Sequence, residues 1–145
     1  MNKNLLIVYV LCGFMAATGI AYFIVAYGEY TDWMELLSFG IHDETTEKQV
    51  EITLFVISGL IYFGIIIWLI KTRFIKKSPY LAATVVSVAL ILTYIASRTV
   101  GVPIVGVEYY VGKLDMISKI MQVAVIALSI AIMYRIKRPV YNFTK

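Results

Sequence analysis

Four apolar stretches dominate this 145-residue chain, and each is long enough to cross a lipid bilayer. They run over Leu5–Tyr27, Ile52–Ile70, Tyr80–Ser97 and about Leu114–Ile136, and a span needs roughly 20 apolar residues. The fourth has the most polar start. The hydrocarbon layer holds no water, so each segment must pair its own backbone groups, and a helix does that. Composition agrees: the chain is 61% hydrophobic and 15% charged, with a mean hydropathy of +0.84. That is too little polar surface to be wetted on all sides. The sequence therefore predicts an all-α, antiparallel bundle of four transmembrane helices forming one domain over residues 1–145. The first stretch reads as a retained helix, because only Lys3 precedes an apolar run longer than a signal-peptide core.

Charge sets the expected orientation. The segment Lys71–Pro79 carries Lys71, Arg73, Lys76 and Lys77 and no acid, and the tail carries Arg135, Lys137, Arg138 and Lys145 and no acid. Between the first two stretches, residues 28–51 hold Glu29, Asp32, Glu35, Asp43, Glu44, Glu47 and Glu51 against Lys48. Basic loops stay in the cytoplasm, so both termini are expected inside the cell membrane, with loops 28–51 and 98–113 outside. A basic inner edge against anionic lipid accounts for the net charge of +4 without nucleic acid. The sequon Asn142-Phe143-Thr144 then falls inside.

Within the outer loop, Asp32–Phe39 suggests a short surface helix with Asp32 as its N-cap and with Trp33, Met34, Leu36 and Leu37 at headgroup level. Thr46 and Gln49 read as a capping box opening the second helix. Pro79 suits the first turn of the third helix, and Pro139 follows the fourth. Gly13, Ala17 and Ala21 recur every four residues, a small-residue row that lets another helix approach closely, within the chain or from a partner. No internal repeat is evident.

Polar residues form two stripes. Thr84, Ser87, Tyr94 and Arg98 fall on one face of the third helix, and Asp115, Ser118, Lys119, Gln122 and Ser129 on one face of the fourth. Polar stripes in a bilayer turn toward protein, so these rows are expected to face each other or one partner. The loop between them contains Gly101, Pro103, Gly106 and Gly112 and is expected to tuck into the membrane edge. Arg98 is expected to pair with Glu108, and Asp115 with Lys119, four residues on in the favourable order. The four charges cancel. One reading is a brace for loop and bundle, since charges near lipid are costly unless paired. The other is a proton, ion or ligand site, which intramembrane ionisable groups often mark.

Other chemistry is sparse. His42, beside Asp43 and Glu44, is a weak metal candidate that reads more simply as a loop residue. A single histidine excludes a bis-histidine haem or a three-histidine metal site made by this chain alone. Cys12, the only cysteine, cannot form an internal disulfide and reads as a packing residue. No GxSxG, HExxH or Walker loop is present.

The run "SRTVGVPIVGVEYYVGKLDMISK", Ser97–Lys119, resembles a pattern in a family of small four-helix membrane proteins of archaea and some bacteria that has no assigned chemistry. In that pattern the arginine-containing stretch ends the third helix, an acid follows, and a leucine–aspartate pair opens the fourth. Ser97, Arg98, Thr99, Gly101, Pro103, Glu108, Gly112, Leu114 and Asp115 match it. The resemblance covers the last third of the chain and implies the fold, not an activity. The chain also looks like the small helical subunits of archaeal membrane monooxygenases of the ammonia-oxidising type, a likeness that no motif carries.

The expected function is that of a non-catalytic accessory or scaffold subunit of a larger membrane complex, with other integral membrane subunits and the lipid bilayer as partners. No cofactor is expected within the chain beyond lipid. The competing expectation is a small carrier or quinone-site protein built on Arg98, Glu108, Asp115 and Lys119.

Overall fold

The computed structural model describes residues 3–40, 45–101, 107 and 112–136. They form four helices: α1 (Lys3–Ser38), α2 (Thr45–Lys71), α3 (Ser78–Thr99) and α4 (Lys113–Ile136). Each is long and apolar enough to cross a membrane, and no strand occurs among the described residues.

What assembles them is a common spacing. The packed seam of α1 runs through the buried Val8, Leu11, Met15, Thr18, Tyr22 and Ala26, with Gly19 and Ala21 buried beside it; that of α2 through Ser58, Tyr62, Ile65 and Leu69, with Gly59 beside it; and that of α4 through Ser118, Gln122, Val125, Ser129 and Ile132. On α3 the buried residues are Pro79, Tyr80, Ala83 and Ser87. Apart from Pro79, each seam advances by steps of three or four, which keeps it on one side of a helix and lets neighbours pack at a shallow angle. The helices form a ring. α1 lies along α2, α4 lies against both α1 and α3, and α2 meets α3 over a shorter length, with no backbone contact across either diagonal among the described residues. The outer surface stays apolar, as Leu81, Val85, Leu92 and Ile95 on α3 illustrate. Lipid tails solvate such a surface without cost.

The closest approach is between α1 and α2. A Cβ on Gly19 would lie 3.3 Å from the carbonyl oxygen of Gly59 and 2.9 Å from the Phe63 ring, and a Cβ on Gly59 would lie 3.1 Å from the Gly19 oxygen and 2.9 Å from the Phe23 ring. Each glycine is thus roofed by the aromatic ring that follows the other, and the Phe23 and Phe63 rings stack at 5.9 Å. Contrary to the expectation of no repeat, the two contact segments match: Thr18-Gly19-Ile20-Ala21-Tyr22-Phe23 and Ser58-Gly59-Leu60-Ile61-Tyr62-Phe63. Thr18 and Ser58 both donate to the carbonyl four residues back, Phe14 and Leu54.

The loop expected at 28–51 is mostly helix. α1 continues without a break to Ser38, so Asp32 is interior to it and caps no separate surface helix. Gly28 alone does not stop a helix, because one glycine costs only about 1 kcal/mol against alanine. The inward seam also carries on past Ala26 through the partly buried Glu29, Trp33 and Leu36. Termination comes at Gly40, whose φ of +73° is the left-handed conformation that glycine takes freely. α2 begins at Thr45 rather than Ile52, which places Thr46 in its first turn. Lys48 sits between Glu29 on α1 and Glu51 on α2 and ties the two helices beyond their apolar parts. The third and fourth helices run slightly longer than expected, and Pro79 lies in the first turn of α3. At the other end α2 and α3 join through a tight turn in which Arg73 and Phe74 adopt φ of 48° and 63°. Tyr80 fixes it by donating from its hydroxyl to the Phe74 carbonyl at 3.0 Å.

Candidate functional site: a polar cross-tie inside the bundle

Each helix places one polar side chain on its buried seam at a shared level: Tyr22, Tyr62, Ser87 and Gln122. Tyr62, Ser87 and Gln122 are wholly inaccessible. The Tyr22 and Tyr62 rings stack with centroids 6.4 Å apart. Tyr22 occupies the same place in its segment as Tyr62 does in the matching one, and the two hydroxyls serve different helices. The Tyr22 oxygen accepts a 2.7 Å hydrogen bond from Gln122 Nε2 on α4, while the Tyr62 hydroxyl shares a 2.8 Å hydrogen bond with Ser87 Oγ on α3. The α1–α2 pair is thereby tied to α4 through one tyrosine and to α3 through the other.

One turn toward the acidic end, the network becomes charged. Lys119 Nζ donates to the Tyr22 hydroxyl at 3.1 Å and lies 5.3 Å from the Tyr22 ring centre and 4.8 Å from that of Tyr94. The Arg98 guanidinium lies 5.0 Å from the Tyr94 ring centre, so one ring serves two cations. Desolvated cation–π contacts reach about 2 kcal/mol, which helps to keep an ammonium here. Arg98 Nη2 donates to Asp115 Oδ2 at 3.3 Å. The same oxygen accepts from the Gly112 backbone N–H, also at 3.3 Å, a reach-back that caps the start of α4.

This corrects the expected pairing of Asp115 with Lys119. Asp115 turns back to cap its own helix and to meet Arg98, and Lys119, one turn further on, points across to Tyr22. Glu108, the expected partner of Arg98, lies outside the described residues, as do Pro103, Gly106, His42 and the tail from residue 137. Among the described residues, no three of His, Cys, Asp and Glu gather in a way that could hold a metal.

The two polar stripes divide. Ser87, Tyr94, Arg98, Asp115, Lys119 and Gln122 enter the cluster. Thr84 and Ser118 instead donate to their own helices, at the Tyr80 and Asp115 carbonyls. Ser129 Oγ and Gln122 Oε1 are buried without a hydrogen-bond partner. Of the small-residue row, Ala21 is buried while Gly13 and Ala17 are exposed. A strict step of four drifts about 40° per step around a helix of 3.6 residues per turn, so the row leaves the packed seam instead of following it. Sequence reading missed Tyr22, Tyr62, Gly19 and Gly59, and the signal that would have found them is the matched pair of segments.

No protein-family model matches this chain, and no curated protein or solved structure is significantly similar to it.

Proposed function

We propose that this chain is a non-catalytic subunit that helps to scaffold a larger membrane complex. The observation that supports this most is how the cluster spends its polar groups. Tyr22 takes both Lys119 and Gln122, Tyr62 takes Ser87, and Asp115 takes Arg98 and the start of α4. Interhelical hydrogen bonds of this kind hold membrane helices in register, which makes the cluster a brace. Both termini lie in the cytoplasm in this reading, because the turn carrying Lys71, Arg73, Lys76 and Lys77 and the end of α4 with Arg135 form the basic end of the bundle. The membrane is the cell membrane. On the resemblance of Ser97–Lys119, membership of the small four-helix family is part of the proposal, and the further likeness, which no motif carries, makes an archaeal copper membrane monooxygenase the candidate assembly.

The competing reading, a carrier or quinone site, draws on the unpartnered Oε1 of Gln122, whose amide nitrogen shares the Tyr22 hydroxyl with Lys119. Purification in mild detergent separates the two. A scaffold subunit co-migrates stoichiometrically with larger membrane proteins. A chain that purifies alone, monodisperse, and binds a quinone or moves an ion overturns the proposal.

A further inference from the structure

We propose that the outward face of α1 is the docking face for a transmembrane helix of a different protein, one that continues past the bilayer and carries lysine or arginine there. This rests on the scaffold reading and names the partner's chemistry. α1 has 36 residues, about 54 Å of helix. Opposite its packed seam runs a second row, from Val10 to Ser38, in alternating steps of three and four, and every position on it is exposed. It includes Gly13 and Ala17 at bilayer depth and Tyr27, Thr31, Met34 and Ser38 toward the acidic end.

Lipid accounts for the inner part of this row and not for the outer part. Tyr22 is level with Gln122, and Gln122 is nine residues from the start of α4. α1 therefore passes the end of α4 near Thr31 and runs on for about 10 Å, beyond a headgroup layer of roughly 5–8 Å. A helix facing water there would be charged on its outer side. Glu29, Asp32 and Glu35 all lie off the row, which stays uncharged to its end. An uncharged seam that outlasts the membrane is what a helix-packing face requires.

Charge selects the occupant. Residues 28–51 carry seven acids and one lysine, and that lysine is engaged by Glu29 and Glu51. Membrane insertion makes two copies parallel, so self-pairing would set two acidic ends side by side. A partner with basic residues beside its seam meets Asp32 and Glu35, both exposed on α1, with opposite charge.

The test places a photo-crosslinking amino acid at Tyr27, Thr31 or Met34 of the full chain in its native membrane, with the lipid-facing Leu92 as the control position. Adducts are read at peptide level. The expected result is one non-self protein, crosslinked from the row positions, at a segment that adjoins a transmembrane helix and contains lysine or arginine. Asp32→Lys with Glu35→Lys should lower that adduct by roughly an order of magnitude, with the thermal stability of the chain unchanged. Adducts only to lipid, adducts to a second copy, or insensitivity to the charge reversal would each overturn the inference. If the chain still co-purifies with a complex in those cases, the scaffold reading stands and only the face is wrong. If no complex is found, that reading falls as well.

Discussion

Alanine at Gly59 should destabilise the bundle although alanine is the better helix former. Its Cβ would lie 2.9 Å from Phe23 Cε1, 3.0 Å from Phe23 Cζ and 3.1 Å from the Gly19 carbonyl oxygen. The ring is stacked on Phe63 and the oxygen belongs to a helix backbone, so neither moves freely. Overpacking of this kind costs about 1–3 kcal/mol, while replacing a helical glycine by alanine returns up to about 1 kcal/mol. Gly64→Ala supplies the control: it is on the same helix, and nothing lies within 4 Å of the added Cβ. The difference between the two variants cancels the propensity term and should be about 1–3 kcal/mol. Reversible unfolding in mixed micelles, followed by far-ultraviolet circular dichroism, measures it. Equal stabilities for Gly59→Ala and Gly64→Ala would refute the close crossing of α1 and α2.

The Tyr62–Ser87 hydrogen bond should appear in a double-mutant cycle of Tyr62→Phe and Ser87→Ala as a coupling of about 0.6–1.7 kcal/mol; additive losses would mean that the two side chains do not meet. Lys48→Met removes the cation between Glu29 and Glu51, whose side chains are 21% and 12% exposed. It should cost on the order of 1 kcal/mol or less, shrinking as salt is raised, and a salt-independent loss would point to packing of the lysine stem instead. Cysteine labels at Lys76 should react only from the cytoplasmic side and labels at Gln49 only from the outside; the reverse pattern would invert the proposed orientation.

The four spans were legible because hydrophobic length is a one-dimensional property and survives without tertiary knowledge. The helix ends were not. Acids and tyrosines after Tyr27 mark the exit from lipid, and that exit was mistaken for the end of the helix, whereas the α1 seam continues to pack through Glu29, Trp33 and Leu36. The polar stripes were readable from spacing, and six of their residues, Ser87, Tyr94, Arg98, Asp115, Lys119 and Gln122, meet in the cluster. Their partners were less so. Asp115 and Lys119 have the spacing of a helical ion pair, yet the Gly112 backbone N–H competes for Asp115 and a tyrosine on another helix competes for Lys119, and only the fold brings Tyr22 within reach. Gly19 and Gly59 were overshadowed by the more regular row through Gly13, although it is the ring four residues after each glycine that makes the contact.

Lys119→Met tests the central claim, that the interior cluster is a brace and not a working site. Methionine keeps much of the stem's volume and removes an ammonium that has no carboxylate within ion-pair distance among the described residues. Its removal strands no carboxylate, so the penalty for breaking a buried ion pair does not arise, and Tyr22 keeps Gln122 as a hydrogen-bond partner. The account predicts that the variant enters its complex in full yield, melts at a modestly lower temperature for loss of the Lys119 contacts, and leaves the activity of the complex unchanged. A complex that assembles normally around Lys119→Met and has lost its activity would contradict it.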